Sequence, residues 1–187
     1  MDNLVCLNNT DPKFRPSVEK ISGQNLNKCY QCAKCTAGCP IAGSVDFPPH
    51  KILRFIQLGL VKEALNAPTI WYCLSCITCT ARCPNGVDLA KVMDTLRELA
   101  LDVQGGKTAK PRIALFEELF LDSIRKHGRL YEMGTLLQYN LLSGRLFQDS
   151  ELVMPLINKA KLEFRSKGIQ GKKEIAHIFR KTNAEEG

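Results

Sequence analysis

The sequence has 187 residues, of which 44% are hydrophobic, and its formal net charge is +7. This length accommodates one or two small domains, and the apolar content is that of a globular protein rather than a disordered one. The longest apolar stretch, residues 52–61, is short and contains Arg54, which excludes a transmembrane helix.

Nine cysteines distinguish this composition, and eight of them lie between residues 29 and 83. A secreted disulfide scaffold is disfavoured because the number is odd, the spacings are short and no apolar signal-peptide core follows Met1. We therefore expect a cytoplasmic protein with reduced thiols. The ninth cysteine, Cys6, has no second ligand nearby in the sequence and is interpreted as an ordinary thiol rather than a redox or ligand residue.

The N-terminal segment, residues 1–28, carries scattered polar residues and two prolines, Pro12 and Pro16, without a sustained periodicity. Such a composition predicts an extended arm with at most one turn of structure near residues 17–21. The arm ends where the first cysteine pattern begins.

One cysteine pattern occurs twice, at residues 29–40 and at residues 73–84, and both copies read C-x2-C-x2-C-x3-C-P. This is the spacing that binds [4Fe-4S] clusters through thiolates. Paired C-x2-C sequences also bind zinc, but a zinc site has no use for the third and fourth cysteines at these spacings. Two iron–sulfur clusters are therefore the favoured interpretation. Their negative charge is partly offset by the basic residues, so the net charge does not indicate a nucleic-acid partner.

The ligands of each cluster are expected to come from both copies. In two-cluster proteins the fourth cysteine of such a run ligates the other cluster. This crossing predicts one cluster held by Cys29, Cys32, Cys35 and Cys83, and a second held by Cys73, Cys76, Cys79 and Cys39. Two one-electron centres close together favour electron transfer over a purely structural role. The sequence contains no catalytic triad pattern, phosphate loop or dinucleotide-binding glycine motif.

A helix is predicted after each copy of the pattern. Residues 50–65 have apolar residues four apart, the preceding prolines suit a helix start, and Gly59 within this helix indicates a close backbone approach. Asp88 is a favourable N-cap for a second helix over residues 89–104, which has a single apolar stripe. The repeated order of loop and helix predicts two halves that face each other about a pseudo-twofold axis.

The rest of the chain contains no cysteine and favours short amphipathic helices, at residues 111–127, 130–142, 155–166 and 172–181. Strand signals are almost absent. The sequence therefore predicts a mainly α protein in three parts. These are an N-terminal arm (1–28), an α-helical two-cluster domain (29–106) and a helical docking region whose helices pack on partners (107–187).

Beyond the cysteines, the sequence resembles the C subunit of heterodisulfide reductase. The resemblance lies in residues 49–59 (PHKILRFIQLG), 70–73 (IWYC) and 83–88 (CPNGVD), and the first cysteine pattern fits the same family. It extends over roughly residues 20–105 and, more loosely, residues 171–175. The resemblance implies an α-helical ferredoxin fold that carries two [4Fe-4S] clusters.

The same resemblance implies a specific role. In that family, the C subunit passes electrons from a flavin-bifurcating subunit to a catalytic, cysteine-rich subunit, which reduces the heterodisulfide of coenzyme M and coenzyme B in methanogenesis. The assembly is soluble and associates with a hydrogenase or a formate dehydrogenase. This chain would be a non-catalytic electron carrier within that oxidoreductase complex, without a membrane span or a nucleic-acid partner.

Two other functions fit the sequence less well. The iron–sulfur subunit of a quinone-linked dehydrogenase, such as succinate or glycerol-3-phosphate dehydrogenase, usually adds a two-iron domain or further cysteine repeats, and this sequence has neither. A cluster-containing regulatory or nucleic-acid-binding module would need a concentrated basic face, whereas residues 107–187 mix both charge signs.

Overall fold

The computed structural model describes residues 10–104, 112–144 and 169–185. These residues form helices and connecting loops and contain no β-strand, which confirms the mainly α fold class. None of the helices in these ranges combines the length and the apolarity that crossing a bilayer would need. The chain divides into two compact units, Met1–Ala109 and Lys110–Gly187.

The first unit holds the helices α1 (Phe14–Ser22), α2 (Lys34–Ala37), α3 (Pro49–Leu58), α4 (Val61–Leu65), α5 (Pro68–Tyr72), α6 (Thr78–Ala81) and α7 (Leu89–Gln104). It also has two 3-10 turns, Leu26–Lys28 and Ala42–Ser44. The second unit holds α8 (Arg112–His127), α9 (Glu132–Leu142) and α10 (Lys172–Glu185).

The N-terminal segment forms part of the core, so the prediction of an extended arm is wrong for its described residues. Helix α1 packs against α3 and α7. Its residues Phe14 and Val18 are buried, as is Leu26 in the turn that follows. Pro16 lies in the first turn of α1, where its missing N–H has no helical partner to lose. Cys6 lies outside the described residues.

The region after the first cysteine loop contains two helices rather than the single one predicted over residues 50–65. Helix α3 ends at Gly59, which adopts a left-handed conformation with φ of 73°, and α4 begins at Val61. The Asp11 N–H donates a hydrogen bond to the Gly59 carbonyl at 2.8 Å. A Cβ at Gly59 would collide with the Asp11 carbonyl oxygen. The expected close backbone approach is therefore confirmed, and it occurs at the left-handed glycine that ends the helix.

Helix α7 is the central helix of the first unit and has the predicted bounds. The Asp88 carboxylate accepts a hydrogen bond from the Lys91 N–H at 3.3 Å, which is N-cap geometry. The predicted stripe is buried along most of its length, at Leu89, Val92, Met93, Leu96 and Ala100. This face contacts α1, α4, α5 and α6. Helix α7 thus joins the N-terminal segment to the second cysteine loop.

The second unit has a smaller core. Helix α8 matches its predicted bounds within one residue, ends at Gly128, and packs against both α9 and α10. Helix α9 begins two residues later than predicted, and α10 extends to Glu185 instead of ending at residue 181. The helix predicted at residues 155–166 lies outside the described residues.

Candidate iron–sulfur site

The two cysteine loops share one backbone conformation. Among the described residues, the non-glycine residues with positive φ are Gln31 (63°) and Ala33 (60°) in the first loop and Ser75 (47°) and Ile77 (53°) in the second. Gln31 and Ser75 are 44 residues apart, and so are Ala33 and Ile77. Cys29 and Cys73 have the same separation. The short helices α2 and α6, which follow the loops, repeat at the same interval and contact each other. The duplication in the sequence is therefore also a duplication of backbone geometry.

The left-handed residues turn the chain so that three successive cysteines of each loop face one cavity. This conformation costs an L-residue about 1–3 kcal/mol and persists only where the surroundings enforce it. Ile77 is the most strained of the four because its β-branched side chain is least compatible with positive φ. Its side chain is also 63% exposed, so it gains little from burial.

Replacing Ile77 with glycine is therefore expected to raise the free energy of unfolding of the cluster-loaded chain by about 1 kcal/mol. Thermal unfolding under anaerobic conditions measures this change. The matched control is Ile77→Ala, which retains a Cβ and is expected to gain less. A lower melting temperature for Ile77→Gly would show that the side chain contributes more than its backbone strain costs.

Two cavities lie against these loops. Cavity 1, about 400 Å³, is lined by the sulfur-bearing residues Cys29, Cys32, Cys35 and Cys83, with Cys79 also on its wall. Cavity 2, about 420 Å³, is lined by Cys39, Cys73, Cys76 and Cys79. Leu89 borders both cavities, so they are immediate neighbours. The eight predicted ligand residues are thus brought together in two groups, each of which includes the fourth cysteine of the other loop.

The thiols that line the two cavities fit an iron–sulfur cluster. Each cavity is lined by at least four cysteines, and four thiolates are the ligand set of a [4Fe-4S] cluster. Cys79 lines both cavities.

Each loop contains one cysteine whose thiol pKa is raised and one whose thiol pKa is lowered. Burial raises the pKa of the Cys35 and Cys79 thiols. The Lys34 backbone N–H lowers the pKa of Cys32, and the Thr78 hydroxyl lowers the pKa of Cys76. Cys32 and Cys76 are also the two exposed cysteines of these loops. Each cavity therefore has one cysteine at the surface, where the thiolate form is favoured.

Residues from distant parts of the chain hold the first loop in place. The Gln57 amide donates to the carbonyl oxygens of Leu26 (3.0 Å) and Cys29 (2.9 Å). The Asn85 amide donates to the Lys28 carbonyl, which ties the second loop to the start of the first. Sequence reasoning did not identify these positioning residues, because amides that bond to backbone carbonyls leave no recognisable spacing.

His50 is another residue of the site that the sequence did not identify. It lies on the wall of cavity 1, and its Nδ1 is 2.7 Å from the Thr36 hydroxyl oxygen. Burial, followed by the nearby charge of Lys51, lowers the pKa of His50. Thr36 also accepts a hydrogen bond from the His50 backbone N–H at 3.2 Å, which joins the first loop to the start of α3.

Comparison with known proteins identifies the domain. A protein-family model described as a 4Fe-4S dicluster domain matches residues 28–88. The chain is 31% identical, over 99 residues, to the C subunit of the H2:CoB–CoM heterodisulfide,ferredoxin reductase of Methanothermobacter marburgensis, and the match covers 53% of this chain and 54% of that protein. It is 34% identical, over 101 residues, to the iron-sulfur C subunit of the CoB–CoM heterodisulfide reductase of Methanopyrus kandleri, covering 54% of this chain and 53% of that protein.

A third relative, the C2 subunit of the H2/formate:CoB–CoM heterodisulfide,ferredoxin reductase of Methanococcus maripaludis, is 38% identical over 87 residues, which are 46% of each protein. The chain spans about half the length of the curated relatives it matches. Residues 28–88 are thus a dicluster domain with two [4Fe-4S] clusters and a role in electron transfer, and the resemblance of the chain to the C subunit of heterodisulfide reductase is confirmed.

Proposed function

We propose that this chain is the electron-relay subunit of a heterodisulfide reductase. It would carry electrons from a flavin-bifurcating subunit to a catalytic, cysteine-rich subunit, which reduces the heterodisulfide of coenzyme M and coenzyme B. A hydrogenase or a formate dehydrogenase would complete the larger assembly. We place the complex in the cytoplasm, where thiols remain reduced. The observation that carries the proposal is the pair of neighbouring four-cysteine cavities.

The proposal includes crossed ligation. Cys29, Cys32, Cys35 and Cys83 would hold one cluster, and Cys73, Cys76, Cys79 and Cys39 the other. The lining of the two cavities supports this division. Bound clusters supply one-electron transfer chemistry, and the chain itself contributes their ligands, spacing and environment.

The residues of the chain would position and shield the redox groups rather than act on a substrate. Leu53 and Leu89, on the wall of cavity 1, are 3% and 1% exposed, so they limit the access of water from the core side. The exposed cysteines, Cys32 and Cys76, place one edge of each site at the surface. Electrons can therefore reach either site from outside without a substrate pocket.

The second unit is proposed to pack on partner subunits. Helix α9 exposes three leucines, Leu137 (65%), Leu141 (67%) and Leu142 (62%). Large exposed apolar groups on one helix are typical of surfaces that another protein covers.

Purification of the tagged chain from its native cells tests the proposal. We expect about eight irons per chain and the co-purification of a flavoprotein and a cysteine-rich protein with heterodisulfide reductase activity. The double variant Leu137→Lys/Leu141→Lys should retain the iron but recover less of both partners. The matched control is Lys172→Ala/Lys173→Ala, which changes exposed polar residues of α10. Zinc in place of iron, or full iron content with neither partner, would contradict the proposal.

A further inference from the structure

The two cysteine loops match in backbone but differ in the groups that they direct at the sulfurs. Residues 44 positions apart are equivalent, so each loop serves as a reference for the other. Four equivalent pairs differ in hydrogen-bonding capacity or charge: Gln31 and Ser75, Lys34 and Thr78, Tyr30 and Leu74, and Gly38 and Arg82. In the first three pairs the member in the first loop is the stronger donor or carries the positive charge, whereas in the fourth the positive charge belongs to the second loop.

Gln31 is the clearest difference. Its amide nitrogen donates to the Cys29 sulfur at 3.5 Å and to the Gln57 side-chain oxygen at 3.2 Å. Gln57 is itself fixed by its two hydrogen bonds to backbone carbonyls. An amide has two N–H groups, so Gln31 can satisfy Gln57 and the sulfur together. The donor at Cys29 is thus held in place by a second side chain.

Ser75, the equivalent residue of the second loop, is engaged elsewhere. Its hydroxyl donates to the Asp94 carboxylate at 3.4 Å and accepts from the Arg97 guanidinium at 2.9 Å. Arg97 and Asp94 also form an ion pair at 2.8 Å. A hydroxyl has one proton, so the Ser75 hydroxyl that donates to Asp94 is not available to a sulfur.

The pairs Tyr30–Leu74 and Lys34–Thr78 act in the same direction, because Tyr30 brings a hydroxyl and Lys34 a positive charge to the first loop. Leu74 has no group to donate, and Thr78 provides a neutral hydroxyl 3.5 Å from the Cys76 sulfur. Cavity 1 also receives the Val87 N–H, which donates to the Cys83 sulfur at 3.3 Å. Both cavities have one exposed cysteine, so solvent access does not offset these differences.

Donors and positive charge near cluster sulfurs stabilise the more negative, reduced state and so raise the reduction potential. We propose that Gln31, positioned by Gln57, sets the potential of the cavity 1 site and makes it the more easily reduced of the two. This inference rests on the proposed crossed ligation. At equilibrium the first electron then resides in cavity 1, so electrons moving downhill arrive at cavity 2 and leave from cavity 1.

An EPR-monitored redox titration of the reconstituted full chain tests this ordering. The wild-type chain should give two midpoint potentials. In Gln31→Met, which keeps the side-chain length but removes both N–H groups, the higher midpoint should fall and the lower should remain. At a fixed applied potential, the ratio of reduced to oxidised centre should change about tenfold. This corresponds to a shift of the midpoint potential of about 59 mV for one electron. Gln31→Lys, which adds positive charge, should raise the same midpoint.

The matched control is Ser75→Ala, which removes a side-chain hydroxyl at the equivalent position and should leave both midpoints unchanged. The inference is overturned if the lower midpoint responds to the Gln31 variants, or if neither does. Iron content separates this outcome from failure of the proposed function. A wild-type chain without about eight irons contradicts the proposed function, whereas unresponsive midpoints at full iron content contradict only this inference.

Discussion

Replacing Cys29 and Cys83 together with alanine is expected to leave about four irons per chain, whereas replacing Cys76 and Cys83 together is expected to leave almost none. Cys29 and Cys83 line the same cavity, so the pair of substitutions disables one site. Cys76 lines the other cavity, so the second pair disables both sites. Iron and acid-labile sulfide, measured after anaerobic reconstitution, distinguish the two variants.

The control for this experiment is the variant with Cys39 and Cys76 replaced, since these residues line cavity 2 together. It should also retain about half of the iron, now in cavity 1. If instead Cys76→Ala/Cys83→Ala kept half of the iron and Cys29→Ala/Cys83→Ala lost it all, each loop would bind its own cluster. Crossed ligation would then be wrong.

The second large effect is expected at Gly59. Substitution with alanine should lower the free energy of unfolding by about 3 kcal/mol, since it adds left-handed strain of about 1–2 kcal/mol to a collision with packed atoms. The collision is with the backbone of Asp11, which cannot rotate away as a side chain would. Anaerobic thermal unfolding of the cluster-loaded chain measures the loss.

Gly23 provides a matched control for Gly59. It has a similar φ of 66°, but a Cβ there would have no atom within 4 Å. Gly23→Ala should therefore show the backbone strain alone, about 1 kcal/mol. Equal losses in the two variants would show that the added Cβ is accommodated at Gly59 without the expected collision with Asp11.

The parts of the fold that could be predicted are those whose cause is local. Helix α7 has a capping aspartate and a continuous apolar stripe, and both signals lie within or beside its own residues. Helix α1 presents only Phe14 and Val18 as buried apolar groups, and it is ordered by its packing on α3 and α7. The break at Gly59 interrupts an apolar repeat that continues beyond it, so periodicity alone extended the helix past it, and the contact of Gly59 with Asp11 is far away in the sequence.

In the candidate site, too, some residues have a local signal in the sequence and others depend on distant parts of the chain. The candidate ligand residues are predicted by cysteine spacing, because a cluster requires a fixed number of thiolates within a short loop. Gln57 and Asn85 act through the carbonyl oxygens of Leu26 and Lys28, which lie 31 and 57 positions earlier in the chain. Such contacts depend on the folded arrangement and not on residue type in a pattern.

The crossed ligation proposed for the two cavities has a consequence for the order of biosynthesis. Cavity 1 takes Cys83 from the second loop, and cavity 2 takes only Cys39 from the first. A nascent chain that has emerged only as far as residue 72 therefore contains neither set of four cysteines. The two sets are completed at Cys79 and Cys83, only four residues apart, so we expect iron and sulfide to be inserted after the second loop has left the ribosome, and nearly together at both sites.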